Sequence, residues 1–467
     1  MVEISDSRLV PRLIDALGAD AVKASPEDLD VYAFDAYSQG RRPDAVVLPS
    51  STRDVAAAVK IARDCGAPIV PRGAGTGLCG GAAPAAGGVV FSMARMNRVL
   101  ELDVKNRRAH VQPGLINFEL SAQAAPAGLF YAPDPSSQRA CTIGGNIGTN
   151  AGGPHCLSYG TTVNHVLGLE IVDESGEIER TWVEQSGYDL TGTLVGSEGT
   201  LGITCSAWVR LLRLPEAVRV WLAAFADVES ASAAVSAIVG SGIVPTALEM
   251  LDRLAITAVE AAFACGYPTD AGAVLLIECA GFADDLDAYE SAMHRCAIDC
   301  GALSWRSARS QQERDALWAG RKGALGATGR IAPNYYIQDV VVPRTKLPAA
   351  LETVATACAS RGIQVANVFH AGDGNLHPLL LYDRSVPKQT AAVIDAGNDI
   401  LQAAVELGGT ISGEHGIGFE KRGTLTRVFS TDDLAAMARV RDVFDPRRSL
   451  NPEKIFPSGA SCAEIPR

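Results

Sequence analysis

Residues 71–93 read PRGAGTGLCGGAAPAAGGVVFSM, and the glycines of this stretch constrain the fold more than any other feature of the chain. Gly75-Thr76-Gly77-Leu78-Cys79-Gly80 has the letters of a dinucleotide-binding fingerprint, and Glu101 stands where, about 20 positions on, that fingerprint places an acid. The fingerprint also needs its third glycine to open a helix whose N-terminus holds a pyrophosphate. Here Gly81-Ala82-Ala83-Pro84-Ala85-Ala86-Gly87-Gly88 follows instead, and proline and paired glycines break helices. The nicotinamide reading therefore fails on context. What remains is a glycine-rich loop between strands, whose backbone N–H groups suit an anion-binding nest.

Two further glycine-rich stretches follow: CTIGGNIGTNAGGPHCLSYG, residues 141–160, and GSEGTLGI, residues 196–203. Both read as loops, separated by strand-like segments such as VLGLEIV and AWVRLL. Glycine has no Cβ and lets the main chain approach a ligand closely. One such loop is an ordinary turn, but three in succession favour a large, flat or extended cofactor lying on the backbone.

The 467 residues imply two or three domains at about 150 residues each. No run of about 18 apolar residues is free of charge or Gly/Pro breaks, so no integral membrane segment is expected. A formal charge of −12 without basic blocks argues against nucleic acid or an anionic lipid surface as partner. The 11 cysteines form no Cys-x-x-Cys pair, which argues for a reducing compartment and against an iron–sulfur ligand set. The N-terminus lacks a signal-peptide pattern, so the cytoplasm is the expected location. The first 42 residues read as short amphipathic helices. A βαβ-like unit follows: strand AVVLP, a helix over RDVAAAVKIARDC capped within Ser50–Thr52, and strand APIVP. From about residue 215 the texture changes to alternating strands and helices with fewer glycines, a separate α+β layer.

Three of the seven histidines, His370, His377 and His415, fall close together. In QVANVFHAGDGNLHPLLLYD, Asp373-Gly374 is a two-residue hairpin signal. That turn pairs position 370 with 377 and sets both imidazoles on one face, their backbones about 5 Å apart. GTISGEHGIGFEK adds Glu414 and His415 between glycines. Two imidazoles and one carboxylate satisfy a borderline divalent metal while leaving positions open for water or substrate. The plain alternative is half-buried sheet histidines and a solvated loop acid.

Together PRGAGTGLCGG, CTIGGNIGTNAGG, GSEGTLGI, FHAGDGNLHP, SGEHGIG and LNPEKIF resemble the FAD-linked D-2-hydroxyacid dehydrogenases of the PCMH, or vanillyl-alcohol-oxidase, type. The motifs run from about residue 43 to 457, and are most similar to those of glycolate- and D-lactate-oxidising members. The resemblance implies an α+β fold: a two-subdomain FAD-binding PCMH-type domain and an α+β cap carrying an antiparallel sheet. It divides the chain into an N-terminal helical segment (1–42), the FAD domain (43–215), a substrate and metal cap (216–440) and a C-terminal segment returning to the FAD domain (441–467).

By the same resemblance, non-covalent FAD lies between Pro71, Arg72, Gly73, Ala74, Gly75, Thr76, Gly77 and Leu78 on one wall and Thr142, Gly144, Gly145, Asn146, Gly148, Thr149, Asn150 and Gly152 on the other. Pro133, Asp134, Glu198, Gly202 and Ile203 contact the flavin or adenine ends, and Asn451 closes over the isoalloxazine. His370, His377 and Glu414 become ligands of a divalent metal, zinc or manganese, and His415 the general base. Oxidising a 2-hydroxy acid removes the hydroxyl proton as hydride leaves C2 for flavin N5, and a metal on the hydroxyl oxygen lowers its pKa. Arg321 matches the carboxylate-binding arginine, with a solvated helix arginine as the alternative, and Tyr336 adds a hydroxyl. With Leu325 and Tyr336 in place of a second cationic contact, a small monocarboxylate such as glycolate or D-lactate is expected, and Lys322 keeps 2-hydroxyglutarate open. A hydrolase with a metal-activated water leaves the glycine loops unexplained, and a non-catalytic electron-transfer subunit leaves the His, Glu and Arg set unexplained. The electron acceptors implied are partner subunits, a quinone or a cytochrome, with membrane association through such partners.

Overall fold

The computed structural model describes residues 7–36 and 39–457. The ends of the two terminal segments expected from sequence, residues 1–6 and 458–467, lie outside the described residues. Two compact units emerge: Met1–Gly152 with Gly160–Leu214 and Glu414–Arg467, and Gly153–Tyr159 with Pro215–Gly413. The chain passes between them at 152/153, 159/160, 214/215 and 413/414, where the sequence reading set its cap boundaries at 215/216 and 440/441.

The first unit holds two larger sheets and a two-stranded ladder of Leu129–Phe130 with Leu212–Arg213. In the four-stranded sheet, the strands run in the order Val22–Lys23, Ala45–Val47, Val89–Ser92, Ile69–Arg72, and the last three are parallel. The helix Thr52–Asp64 makes the crossover between Ala45–Val47 and Ile69–Arg72. Its start is fixed by a capping box, in which the Ser51 hydroxyl accepts from the Asp54 N–H and the Asp54 carboxylate accepts from the Ser51 N–H. A parallel sheet covered on both faces needs apolar residues throughout. Val46, Val70 and Val90 face one cluster with Leu29, while Ala45, Val47, Ile69, Val89 and Phe91 face the helices Leu9–Leu17 and Thr52–Asp64. The second sheet is antiparallel, ordered Val99–Asp103, Arg108–Val111, Ile203–Arg210, Val166–Val172, Ile178–Trp182.

The 141–160 stretch departs from its expected loop. Ile143–Thr149 is a helix, begun by the Thr142 hydroxyl accepting the Gly145 N–H at 3.2 Å and closed by Asn150 at φ +51°. Its glycines cost helix propensity but permit contact: a Cβ at Gly144 would stand 2.5 Å from the Pro113 Cβ. Tertiary packing overrides local preference here.

The second unit is built on a nine-stranded sheet. Its main path runs Ser304–Ser307, Ala217–Phe225, Ala273–Gly281, Ala247–Asp252, Gln364–His370, Asn375–Leu376, Val340–Val341. Pro378–Tyr382 also pairs with Gln364–His370, and carries Asn334–Ile337 beyond it. The neighbours on this path are antiparallel, so alternate residues face one side. The helix Gln311–Ala327 lies in the same core as Val220, Leu222, Val274 and Leu276, placing Leu317, Arg321 and Ala324 on its buried stripe. No helix among the described residues is long and apolar enough to cross a membrane.

Candidate active site

In the first unit, strand Ile69–Arg72 runs directly into the loop that begins at Gly73. A Cβ on Gly73 would meet the Thr142 hydroxyl at 2.4 Å, so the bare main chain of the loop lies against the side chain that begins helix Ile143–Thr149. Asn117 joins this helix to Pro133: its Nδ2 donates to the Asn146 Oδ1 at 2.9 Å and to the Pro133 carbonyl at 3.0 Å. Asn150 Oδ1 accepts from the Val163 N–H at 2.9 Å. The polar side chains of Asn146 and Asn150 are thus spent inside the protein, and this segment offers a ligand its glycine backbone. A Cβ at Gly148 would meet no protein atom within 4 Å. That is open space beside a main chain already kept bare.

Glu198 follows the same pattern. Its N–H donates to the Gly148 carbonyl at 2.7 Å, and its buried carboxylate accepts from the amides of Ile417 and Gly418. Asn451, almost wholly buried, donates from Nδ2 to the carbonyls of Gly81 and Glu198. Its Oδ1 is a buried acceptor with no hydrogen-bond partner among the described residues. A buried unsatisfied acceptor costs about 1–3 kcal/mol, so this atom fits a site completed by a ligand N–H, as the edge of a flavin ring supplies. The bare glycines and this orphaned oxygen together fit FAD.

In the second unit the hairpin differs from expectation. His370 pairs with Asn375 and Asn367 with Pro378, so residues 371–374 form a four-residue loop rather than a two-residue turn at Asp373-Gly374. Asp373 Oδ1 caps that loop by accepting the Asn375 N–H at 3.1 Å, and Gly374 takes φ +82°. The register therefore moves by two residues. Because side chains alternate with period two, a shift of two preserves the face. His370 and His377 remain neighbours, their ring centroids 5.1 Å apart and perpendicular.

Behind the two rings stand groups that the sequence reading missed. Glu249 is directly opposite His370 across the strands, and its carboxylate lies 2.8 Å from His370 Nδ1. It also grips Arg321, through Nε at 2.6 Å and Nη2 at 2.5 Å. Burial pushes the Glu249 carboxyl up, but Arg321 and then His370 outweigh it and hold it below its ordinary value. Asp339 accepts from the Ser412 hydroxyl at 2.8 Å and the Gly413 N–H at 3.0 Å, with its other oxygen 3.8 Å from His377 Nδ1. Glu249 is thus hydrogen-bonded to His370 Nδ1, the arrangement that fixes tautomer and ring orientation in metal-ligating histidines, while Asp339 stands on the Nδ1 side of His377 at ion-pair distance.

Arg321 is 2% exposed, which excludes a solvated helix arginine. Besides the histidines, Glu249, Asp339 and Arg321 are the buried charged side chains of the second unit among its described residues. Two carboxylates against one guanidinium leave surplus negative charge in a low-dielectric interior. A divalent cation on the imidazoles would offset it, so this donor set fits a metal.

Tyr336 lies on strand Asn334–Ile337 and is buried. Leu325 packs against the apolar core, and Lys322 is exposed with its ammonium 5.5 Å over the Trp318 ring. Glu414 and His415 come immediately after Gly413, within the first unit, with Glu414 Oε1 3.9 Å from His415 Nε2. One more polar group escaped the sequence reading: Glu278 takes His155 Nε2 at 2.9 Å and the Trp318 indole N–H at 2.7 Å.

A model of the C-terminal domain of FAD-linked oxidases matches residues 214–455, and one of an FAD-binding domain matches residues 43–181. The chain is 44% identical to the glycolate oxidase subunit GlcD of Escherichia coli K12, over 94% of this chain and 89% of that one. It is 34% identical to a D-lactate dehydrogenase of Anaerostipes hadrus, over 89% of this chain and 90% of that one. Among solved structures, p-cresol methylhydroxylase with substrate bound aligns with a TM-score of 0.81 at 15% identity, covering 99% of each chain. That last likeness shows a PCMH-type fold.

Proposed function

The chain belongs to the FAD-linked oxidases, and from that premise we propose that it oxidises a small D-2-hydroxy acid, glycolate or D-lactate, to the 2-oxo acid. The relatives named above support FAD-dependent oxidation of hydroxy acids. The observation that carries the finer reading is the buried row Arg321, Glu249, His370, His377, which sets a carboxylate-binding cation beside two metal-competent imidazoles.

Bound FAD supplies a two-electron acceptor, and a bound divalent cation, zinc or manganese, supplies Lewis acidity toward the substrate hydroxyl. The main chain of residues 71–78 and 142–152, with Pro133, Asp134, Glu198, Gly202, Ile203 and Asn451, holds the FAD non-covalently. His370, His377 and Glu414 hold the cation, with Glu249 leaving Nε2 of His370 for the metal. Arg321 receives the substrate carboxylate. Its Nε and Nη2 already serve Glu249, and Nη2 also lies 3.3 Å from His370 Nδ1, so Nη1 remains for the substrate. Tyr336 adds a hydroxyl contact. His415 takes the hydroxyl proton, a neutral imidazole being a suitable acceptor near pH 7. With Lys322 over Trp318 and Leu325 in the core, a monocarboxylate fits better than 2-hydroxyglutarate. Electrons then pass to partner subunits, a quinone or a cytochrome, with a cytoplasmic enzyme reaching the membrane through such partners.

Anaerobic mixing tests the proposal. Glycolate or D-lactate bleaches the oxidised flavin band, and D-2-hydroxyglutarate does so far more slowly. A flavin that dithionite reduces but no 2-hydroxy acid reduces would leave only an electron-transfer role.

A further inference from the structure

His415 lies in Ser412-Gly413-Glu414-His415-Gly416-Ile417-Gly418, with a glycine at every second or third position. Glycine loses more conformational freedom on ordering than any other residue. A general base has to be held to within about 0.5 Å. Such a loop does not hold a base that closely by its own preferences, so something must brace it.

The first unit contains a built brace. The Glu198 carboxylate accepts the Ile417 N–H at 2.7 Å and the Gly418 N–H at 2.8 Å. A Cβ on Gly416 would stand 2.8 Å from Glu198 Oε1, so the glycine next to His415 is what admits the carboxylate. Beyond it, Gly418 takes φ +54° and a Cβ there would stand 1.7 Å from the Cys79 carbonyl oxygen, which accepts the Phe419 N–H at 3.1 Å. The C-terminal segment seals the arrangement. Asn451 donates to the Glu198 carbonyl, Ile455 N–H to the Gly418 carbonyl, and the buried Lys454 ammonium to the carbonyls of Gly80 and Ala83. Lys454 also stands 4.3 Å over the Phe419 ring. Four segments far apart in sequence meet around Glu198 and the loop its carboxylate holds.

We infer that Glu198 is a positioning residue for His415, its carboxylate fixing the amides of Ile417 and Gly418 and so the loop that carries the base. This rests on the reading of His415 as general base. It gives the acid of GSEGTLGI a task distinct from its backbone contact with the cofactor: the side chain serves the loop.

The test compares E198Q, H415N and the double variant as FAD-loaded proteins. Flavin content, FAD affinity and the rate of anaerobic flavin reduction by the better of glycolate and D-lactate are measured, with dithionite reduction as control. The expected result is E198Q with full FAD content, normal dithionite reduction and substrate reduction slowed about 100-fold, the order of loss a misplacement near 1 Å produces. In the H415N background the added E198Q change alters the rate less than about threefold, since residues acting as a unit are non-additive. Loss of FAD in step with activity would make the carboxylate a cofactor contact. Wild-type reduction by E198Q, or full multiplication of the two losses, would also overturn the inference. H415N reducing at the wild-type rate would overturn the base assignment itself, a different failure. Should E198Q not fold, E198D, which keeps the charge but shortens the reach, is read in the same assays against the same criteria.

Discussion

In the loop that begins at Gly73, contact is made by what is missing. Added Cβ atoms would strike the Thr142 hydroxyl at Gly73 and the Cys79 carbonyl at Gly418, and the segment around Gly148 presents bare main chain. On the strand Gln364–His370 the chain is regular, and everything specific is done by side chains: His370 with Glu249, Glu249 with Arg321, and Asp339 beside His377. A large cofactor recognised through amides needs backbone that comes close, and only glycine allows it. A cation and a small acid need a few charged groups set at fixed distances, and a sheet with a helix laid on it fixes them. The two regions should therefore fail in different ways.

The largest effect is expected where side-chain chemistry is concentrated. Glu249→Gln keeps an acceptor for His370 but turns an amide N–H₂ group toward the Arg321 guanidinium and removes the charge that both partners rely on. Losing the carboxylate behind a metal-binding imidazole costs about 10–100-fold in metal affinity. Misplacing Arg321 as well brings the loss in kcat/KM to the order of 10³-fold or more, since breaking a buried ion pair costs about 3–5 kcal/mol. Chelator competition and steady-state kinetics measure the two losses, and FAD content stays full. If E249Q sheds FAD as readily as metal, the division between the two regions is wrong.

The next effect tests the backbone side. Gly418→Ala places a methyl 1.7 Å from a carbonyl oxygen at a residue with φ +54°. Neither the turn nor the contact tolerates it, and a loss of about 3 kcal/mol or more in the stability of the apoprotein is expected. Gly148→Ala should do the reverse. Its Cβ meets no protein atom within 4 Å, and alanine gains about 1 kcal/mol of helix propensity over glycine. The apoprotein melts at the same or a higher temperature while FAD affinity drops, by about tenfold if the methyl displaces the cofactor by even a few tenths of an ångström. Unchanged FAD affinity in G148A would move the cofactor away from helix Ile143–Thr149.

The same contrast explains what could be read from the sequence. Glycine-built surfaces announce themselves as local runs, so the stretches 71–88, 141–160 and 196–203 were visible at once. Even there the run hid the helix Ile143–Thr149, whose signal was Thr142 three residues before Gly145 rather than any apolar period. Side-chain sites are assembled across the chain. Glu249 and His370 are 121 positions apart, and nothing local links them. The one available sign was an acid inside an apolar run, Glu249 within ALEMLD and Asp339 within IQDVVV, where an unpaired carboxylate would be costly. The hairpin illustrates how a wrong detail leaves a right conclusion intact. Reading Asp373-Gly374 as the turn set the register two residues away from the pairing of His370 with Asn375, but a face survives any even shift.

The last effect concerns Lys454, the cation at the seam of the glycine loop and the C-terminal segment. Burial pulls its ammonium down to about 7, against the opposing pull of Glu198. Between there and its ordinary value of 10.5 the unfolded chain holds a proton that the folded chain has released. The sign follows: where the unfolded state binds more protons, stability rises with pH. On this group's account the first unit gains stability from about pH 7 toward pH 10, by at most about 1.4 kcal/mol per pH unit for one proton. Lys454→Met removes that slope, and its methylene chain still fills the space beside Phe419. Denaturant unfolding of the wild type and K454M at pH 7, 8 and 9 measures the difference. Parallel curves would mean that Lys454 stays protonated across the range, its two carbonyl acceptors and Glu198 outweighing burial.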